Sequence, residues 1–410
     1  MLQKYRLVDP HLWRGKWVLG AILTSSLLLA SAVWAASTSP ASSKAPLLNL
    51  VGLTMKTTQD GWAIGSLLPT PSKIFLVHTS DAGRRWTNVT PRRVMLSVAG
   101  ISDQQFLPST VTDYLNGRTA ITAMETSVSR NGTGTFLLSR TSDGGTHWTQ
   151  WKAHLPHLVD QSLSDPILKA VDFLNTREGW LEFGPASSAA AGMVYPGMEL
   201  WQTTNGGRSW TRKDQISGRS WIVAGIVMFT SLNDGWMTEG ANHRMPVLLH
   251  TMNGGRTWTK AALGAVPGGC PTFTGRFGVI RVLNAALTNN QILRTTDGGH
   301  HWSAPFRLPG QLVPVTRSSK TPNPKIPSIF SAYVQQIGGL LIWDLEGQRL
   351  WRSTNGGTTW NLQDTASGLS RMGGIDFINR HVGWTKEKNR LWMTTSGGKH
   401  WTSWLPELLR

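Results

Sequence analysis

Residues Thr203-Thr204-Asn205-Gly206-Gly207-Arg208-Ser209-Trp210 form a motif that recurs seven times in the 410-residue chain. The copies occupy 79–86, 141–148, 203–210, 251–258, 295–302, 353–360 and 394–401. Their closing tryptophans, Trp86, Trp148, Trp210, Trp258, Trp302, Trp360 and Trp401, stand 62, 62, 48, 44, 58 and 41 residues apart. Such a period means one supersecondary unit per repeat, each unable to bury its apolar face alone.

The third box position holds Asp81, Asp143, Asn205, Asn253, Asp297, Asn355 or Ser396. These short side chains bond nearby backbone amides, and the Gly pair that follows accepts positive φ without a Cβ penalty. Three residues before each box stands a branched aliphatic: Leu76, Leu138, Leu200, Leu248, Ile292, Leu350 or Leu391. The next position, Val77, Ser139, Trp201, Leu249, Leu293, Trp351 or Trp392, is mostly apolar as well. A strand that is apolar on both faces is covered on both faces. Each box is therefore read as a hairpin turn between a doubly covered strand and a second strand opened by Trp.

Upstream, a large apolar residue is followed seven positions later by the Trp of a Gly-Trp pair: Met55 to Trp62, Phe173 to Trp180, Phe229 to Trp236 and Phe377 to Trp384. This spacing predicts another strand, turn and strand, giving four strands per repeat, the content of a propeller blade. Repeats two, five and six lack Gly-Trp, with Trp343 a candidate for the slot in the sixth. The expected fold is all-β: a single β-propeller of seven four-stranded blades, with six or eight as the margin, occupying 47–410 and completed by a strand near Leu50.

Lys4, Arg6, Arg14 and Lys16 precede an apolar run from Trp17 to Ala36. Residues 1–36 thus read as a signal peptide or an N-terminal membrane anchor, and 37–46 as a flexible spacer rich in Ser, Ala and Pro. The expected location is extracellular or at the cell surface. The formal charge is +17, and the chain beyond residue 36 keeps +14 once Lys4, Arg6, Arg14, Lys16 and Asp9 are removed. A basic exported protein attracts acidic proteins, anionic lipid or wall polymer. Nucleic acid is not expected as a partner, because no nucleic-acid motif is present. The single cysteine, Cys270, has no partner for an internal disulfide and no activating sequence context.

Box and Gly-Trp motifs together resemble the Asp-box, or bacterial neuraminidase repeat, propellers, and more closely the photosystem II stability/assembly factor family. That family's repeats likewise run Phe-x5-Gly-Trp, a strand, then Thr-x-Asp-Gly-Gly-x-x-Trp. The resemblance covers nearly all of 47–410 and implies an exported seven-bladed propeller without enzymatic activity, which binds a newly made protein at the membrane partly through an arginine-rich surface. The lipid-bearing Cys found after the export signal of many members is absent here.

The box residues are read as structural, since a shared catalytic carboxylate would not survive replacement by Asn205, Asn253, Asn355 or Ser396. Replacing Trp210 or Trp258 by Ala is expected to cost about 3–5 kcal/mol. No cofactor or metal is expected: His147, His300, His301 and His400 sit in variable box positions without zinc-site spacing. The alternative is a secreted glycan hydrolase, sialidase-like or another glycosidase. Its candidates are Tyr114, Tyr195 and Tyr333 as nucleophile, the string Phe306-Arg307-Leu308-Pro309, and the carboxylate pairs Asp344 with Glu346 or Glu178 with Glu182. The favoured reading is a non-catalytic, monomeric binding protein whose box turns form a basic rim through Arg84, Arg85, Arg208, Arg256 and Lys399.

Overall fold

The computed structural model describes residues 47–68, 74–96, 110–128, 133–156, 166–185, 198–216, 227–239, 246–283, 290–309, 332–338, 340–346, 349–364, 372–387 and 389–409. The export segment and spacer lie outside them. Every regular element among the described residues is a β-strand, and no helix there is long and apolar enough to cross a membrane.

The strands form seven separate sheets, the blades of a propeller, each built on an antiparallel meander in sequence order, with the first strand of blade 5 split into Val266–Pro267 and Thr272–Thr274. Blade 3 shows the pattern, with Pro166–Phe173, Gly179–Pro185, Met198–Thr203 and Thr211–Ile216 as first to fourth strands. First strands of successive blades touch one another, as Thr110–Tyr114 touches Pro166–Phe173 and Met372–Phe377 touches Leu47–Met55. They consequently surround the centre of the ring. The aliphatic predicted before each box is buried in all seven blades, at no more than 2 % exposure. Its neighbour is buried in five, while Trp351 and Trp392 are half-buried.

Both halves of Phe-x5-Gly-Trp act between blades. The Trp stacks on the first-strand aromatic of the next blade: Trp180 on Phe229 with ring centroids 3.7 Å apart, Trp62 on Tyr114 at 5.7 Å and Trp343 on Phe377 at 4.1 Å. The Gly makes room for that aromatic within its own blade, since a Cβ on Gly235 would lie 2.6 Å from the Phe229 ring and one on Gly383 2.5 Å from Phe377. Phe229 and Phe377 are thus each held between their own Gly and the preceding blade's Trp. Trp343 does fill the slot in blade 6, paired with Gln335 across the sheet as Trp180 is with Asp172. In blade 5 the motif survives with a shorter turn: Phe273 covers Gly278, Val279 stands where Trp would be, and Trp236 of blade 4 stacks on Phe273 at 5.9 Å.

The chain closes the ring twice. Leu47–Met55 begins blade 1 as its first strand, and Glu407–Leu409 adds a fifth strand, parallel, to the outer edge of the same blade at Arg85–Asn88. Leu408 lies opposite Trp86, which is fully buried, whereas the other six box tryptophans are half-buried. The Gly-Trp set, Trp62, Trp180, Trp236 and Trp384 with Trp343, is buried to 1 % exposure or less. Burying a large apolar side chain contributes about 1.5–3 kcal/mol, so the greater share of tryptophan stabilisation lies with this inner set rather than with the boxes. The expected cost at Trp210 and Trp258 is lowered accordingly.

Candidate functional site: the face that carries the box turns

Each box is closed by its own side chains. In blade 1, Thr79 Oγ1 accepts from the Gly83 amide at 3.0 Å and donates to Asp81 Oδ1 at 3.0 Å, while Asp81 Oδ1 accepts from the Arg85 amide at 2.9 Å. Asn205, Asn253, Asn355 and Ser396 accept from the corresponding amides of Ser209, Thr257, Thr359 and His400. The residue four places on matches the chemistry of the third position. Where that position is Asp, its second oxygen meets a cationic or titratable group: Arg85 at 2.8 Å, His147 at 2.7 Å and His301 at 2.6 Å. Where it is Asn, the amide donates to a hydroxyl: Ser209 at 2.8 Å, Thr257 at 2.7 Å and Thr359 at 2.8 Å. The hydrogen bonds from His147 and His301 hold Asp143 and Asp297 well below the usual carboxylate range. Burial pushes Asp81 up, but its bonds to Arg85 and Thr79 outweigh this and leave it lowered.

The box shares a face with the turn between first and second strands. The amides of Ala82, Gly144, Gly206, Gly254, Gly298, Gly356 and Gly397 donate to the carbonyls of Gln59, Arg118, Arg177, Asn233, Arg276, Leu340 and His381 in that turn of the same blade. In four repeats the residue just before the box latches this face from blade to blade. Arg140 donates to the Thr176 carbonyl, Gln202 to Leu232 and Arg294 to Asn355, and His78 Nε2 sits 2.7 Å from the Gly117 carbonyl. A polar residue precedes the box in six repeats of seven, the exception being Met393, but His250 pairs instead with Asp234 of its own blade.

All five proposed rim cations are exposed on this face. They are not equivalent. Arg85 is held by Asp81, and the Arg84 guanidinium lies 5.5 Å from the Trp404 ring centroid, so both are tied into the closure of blade 1. Arg208, Arg256 and Lys399 make no hydrogen bond or ion pair among the described residues. Arg118, Arg177, Arg276 and Arg380 are exposed on the inner turns of the same face, a set that the box motif could not reveal. Its acids are largely engaged: Asp60 with Thr57, Asp234 with Ser231, Glu178 with Asn175, and the three box aspartates as above.

A second constellation lies toward the ring centre. Asp113, Asp172 and Gln335 accept from the amides of Phe173, Phe229 and Phe377 in the next blade at 2.7, 2.7 and 2.6 Å, and Asp376 does the same for Met55. Glu125 and Glu182 form further staples to the amides of Leu168 and Val227. Burial raises the pKa of Asp113 and Asp376 and pushes Asp172 up to about 7. Glu182, fully enclosed, is pushed up to about 8 in spite of its bond from Val227 and the nearby Lys169. The sequence signal was an acid directly before the Phe of the motif, as at Asp172 and Asp376.

The hydrolase candidates are dispersed or occupied. Glu182 is an interblade staple and Glu178 a turn residue on the box face. Asp344 is buried with the Arg281 guanidinium 3.5 Å away, and the side chain of Glu346 lies outside the described residues. Tyr114 packs on Trp62, and burial raises its hydroxyl pKa. Tyr195 and the Tyr333 side chain also lie outside the described residues. Phe306–Arg307 is the outer strand of blade 5, with the Arg294 guanidinium 3.9 Å over the Phe306 ring. Among the described residues no three His, Cys, Asp or Glu side chains could together hold a metal ion. Burial raises the Cys270 thiol pKa, with Thr238 beside it at 3.6 Å.

No family model matches the chain, and no curated protein matches it. Among solved structures it is similar to a YCF48 protein bound to a D1 peptide, at 13% identity over 88% of this chain and 93% of that one, with a TM-score of 0.47. It is also similar to YCF48 from Cyanidioschyzon merolae, at 16% identity over 72% and 83% with a TM-score of 0.40. The Hadza microbial sialidase Hz136 is a third, at 13% identity over 85% and 74% with a TM-score of 0.36. At these values no residue role passes from those proteins to this chain.

Proposed function

We propose that this chain is an exported, non-catalytic, monomeric propeller that uses the box face to bind an acidic segment of a protein partner, as its motif resemblance to assembly factors implies. The observation that carries this reading is the concentration on one latched face of Arg208, Arg256 and Lys399 at the rim and Arg118, Arg177, Arg276 and Arg380 nearer the centre, while its acids are consumed by their own turns. Cations without an ion-pair partner extend a field that salt screens with a Debye length of about 8 Å at physiological ionic strength. Arg208, Arg256 and Lys399 each take the sixth position of their box. An anionic polymer of the cell surface is the second reading, favoured by the charge of +17 in the whole chain.

The test is titration with a fluorescent oligo-glutamate peptide at rising salt, beside sedimentation with anionic vesicles. Affinity for the peptide should fall as salt rises, and in the triple variant Arg208→Gln/Arg256→Gln/Lys399→Gln it should fall further with the melting temperature nearly unchanged. Binding that ignores both salt and the triple substitution would defeat the reading. Stronger retention on vesicles than on peptide would transfer it to an anionic surface.

A further inference from the structure

The seam where the last blade meets the first differs from the other blade junctions. The first strand of blade 1 is bulged between Val51 and Leu53, with Gly52 at φ 72°, and the first strand of blade 7 between Met372 and Ile375, with Gly374 at φ 111°. Both glycines adopt backbone conformations that side-chain-bearing residues rarely take, and a bulge bends its strand out of register. Between these strands lies a pocket of about 160 Å³ lined by Leu53, Gly374–Asp376 and Trp384–Lys386. Its walls come from two first strands and the second strand behind one of them, which places it at the inner end of the seam.

The lining has one uncommitted polar group. Thr385 Oγ1 donates to the Gly374 carbonyl at 2.6 Å, and the Asp376 carboxylate accepts from the Met55 amide and faces Gln335. Lys386 is half-buried and makes no hydrogen bond or ion pair among the described residues. Burial lowers its pKa, and no carboxylate offsets that loss. An ammonium offers three donors and no acceptor, and a half-buried one gains most from a single anionic oxygen pair supplied from outside. Leu53, Ile375 and Trp384 make the remaining wall apolar.

We propose that this pocket binds a carboxylate carried on a short apolar stem, with Lys386 as its counter-charge. The volume decides the size class: sites for drug-sized ligands and cofactors run to about 300–1,000 Å³, so this one takes a group the size of an amino-acid side chain or chain terminus. A phosphate would bring more negative charge than one amine answers. The carboxylate belongs either to a free small acid or to the C-terminal residue of a peptide. Lys386 stands three strand positions below the box-side turn, roughly 10 Å at about 3.3 Å per residue. The site is therefore separate from the rim, and failure of either proposal leaves the other standing.

The experiment uses the chain with its lysines carrying ¹³C-methyl groups, the Lys386 resonance being assigned from Lys386→Arg. N-acetyl-leucine and N-acetyl-leucinamide, which differ in the charge of one group, are titrated separately, as are a hexapeptide ending in leucine and its C-terminal amide. The acid should move the Lys386 resonance saturably and raise the pKa of that amine, and the neutral amide should bind at least about tenfold more weakly, since a charge-assisted bond is being removed. Lys386→Gln should abolish the preference for acid over amide, and substitution of an exposed lysine of blade 4, Lys260→Gln, should leave it intact. A response to the free acid alone assigns the site to small molecules, and a response to the peptide acid assigns it to a chain terminus. Equal binding of acid and amide by the wild-type protein, or a Lys386 resonance unmoved by both acids, would overturn the proposal even if Lys386→Gln failed to fold.

Discussion

Carboxylates are used in two opposite ways in this ring, at the box turns and on the inner strands that staple one blade to the next. In the boxes, Asp143 and Asp297 are exposed enough to meet His147 and His301, and their bonds hold the carboxyls down. Near the centre, Asp172 and Glu182 accept single amides from the next blade in surroundings that push them up to about 7 and about 8. The same seven-fold architecture thus carries one ring that favours charged carboxylates and one that favours neutral ones. Hydrogen bonds from the backbone amide and the side chains of the turn decide the first case, and desolvation decides the second.

The packing difference between the two rings gives the largest expected effect. Trp180 is enclosed and stacked on Phe229, while Trp258 at a box is half-buried. Trp180→Ala should cost about 3–5 kcal/mol in chemical denaturation, and Trp258→Ala no more than about 2 kcal/mol, in keeping with its partial burial. Equal losses would break the ranking of the inner ring over the outer.

Titration comes next in size and separates the rings by sign. The folded pKa of Glu182 and of Asp172 exceeds its ordinary value of about 4, so their contribution is complete below that value and is lost as pH rises through about 7 to 8. Box aspartates with lowered pKa contribute above about pH 4 and lose that contribution as pH falls. The melting temperature should therefore decline from about pH 4 to about pH 8, and Glu182→Gln should flatten that decline without changing the acid limb. A decline unaltered in the variant would remove Glu182 as its cause.

A smaller effect tests the match between the third box position and the residue four places on. Asp143→Asn alone leaves His147 facing an amide, whereas Asp143→Asn with His147→Thr recreates the pairing seen at Asn253 and Thr257. The double variant should melt above the single one, and exposed pairs of this kind are worth little. Identical melting temperatures would show that the match has no energetic content.

The blade count and box turns were legible because turn chemistry is local: a hydroxyl, a short acceptor and a glycine pair, with Ala82 for the first glycine in one copy, stand at fixed offsets whatever surrounds them. The position of the deepest tryptophans was legible only in part. Gly-Trp marks a strand start, but that Gly235 yields space to Phe229, and that Trp180 covers the same ring from the next blade, depends on how blades meet. Blade 5 concealed its motif because Val279 replaces Trp and the turn is shorter. The acid staples were hidden for a related reason, since Asp113 and Phe173 are 60 positions apart. The rim cations could be named from the boxes, but the cations of the inner turns could not, because only the pairing of box amides with those turns places both on one face.

The central claim is that the box face is the binding surface, and amide hydrogen exchange of the wild-type protein with and without the oligo-glutamate peptide tests it most directly. Protection should appear in the box turns of blades 3, 4 and 7, around Arg208, Arg256 and Lys399, and in the inner turns at Arg118, Arg177, Arg276 and Arg380, and should fade as salt is raised. Protection confined to the outer strands or to the seam at Lys386, or none on the box face at low salt, would contradict the account.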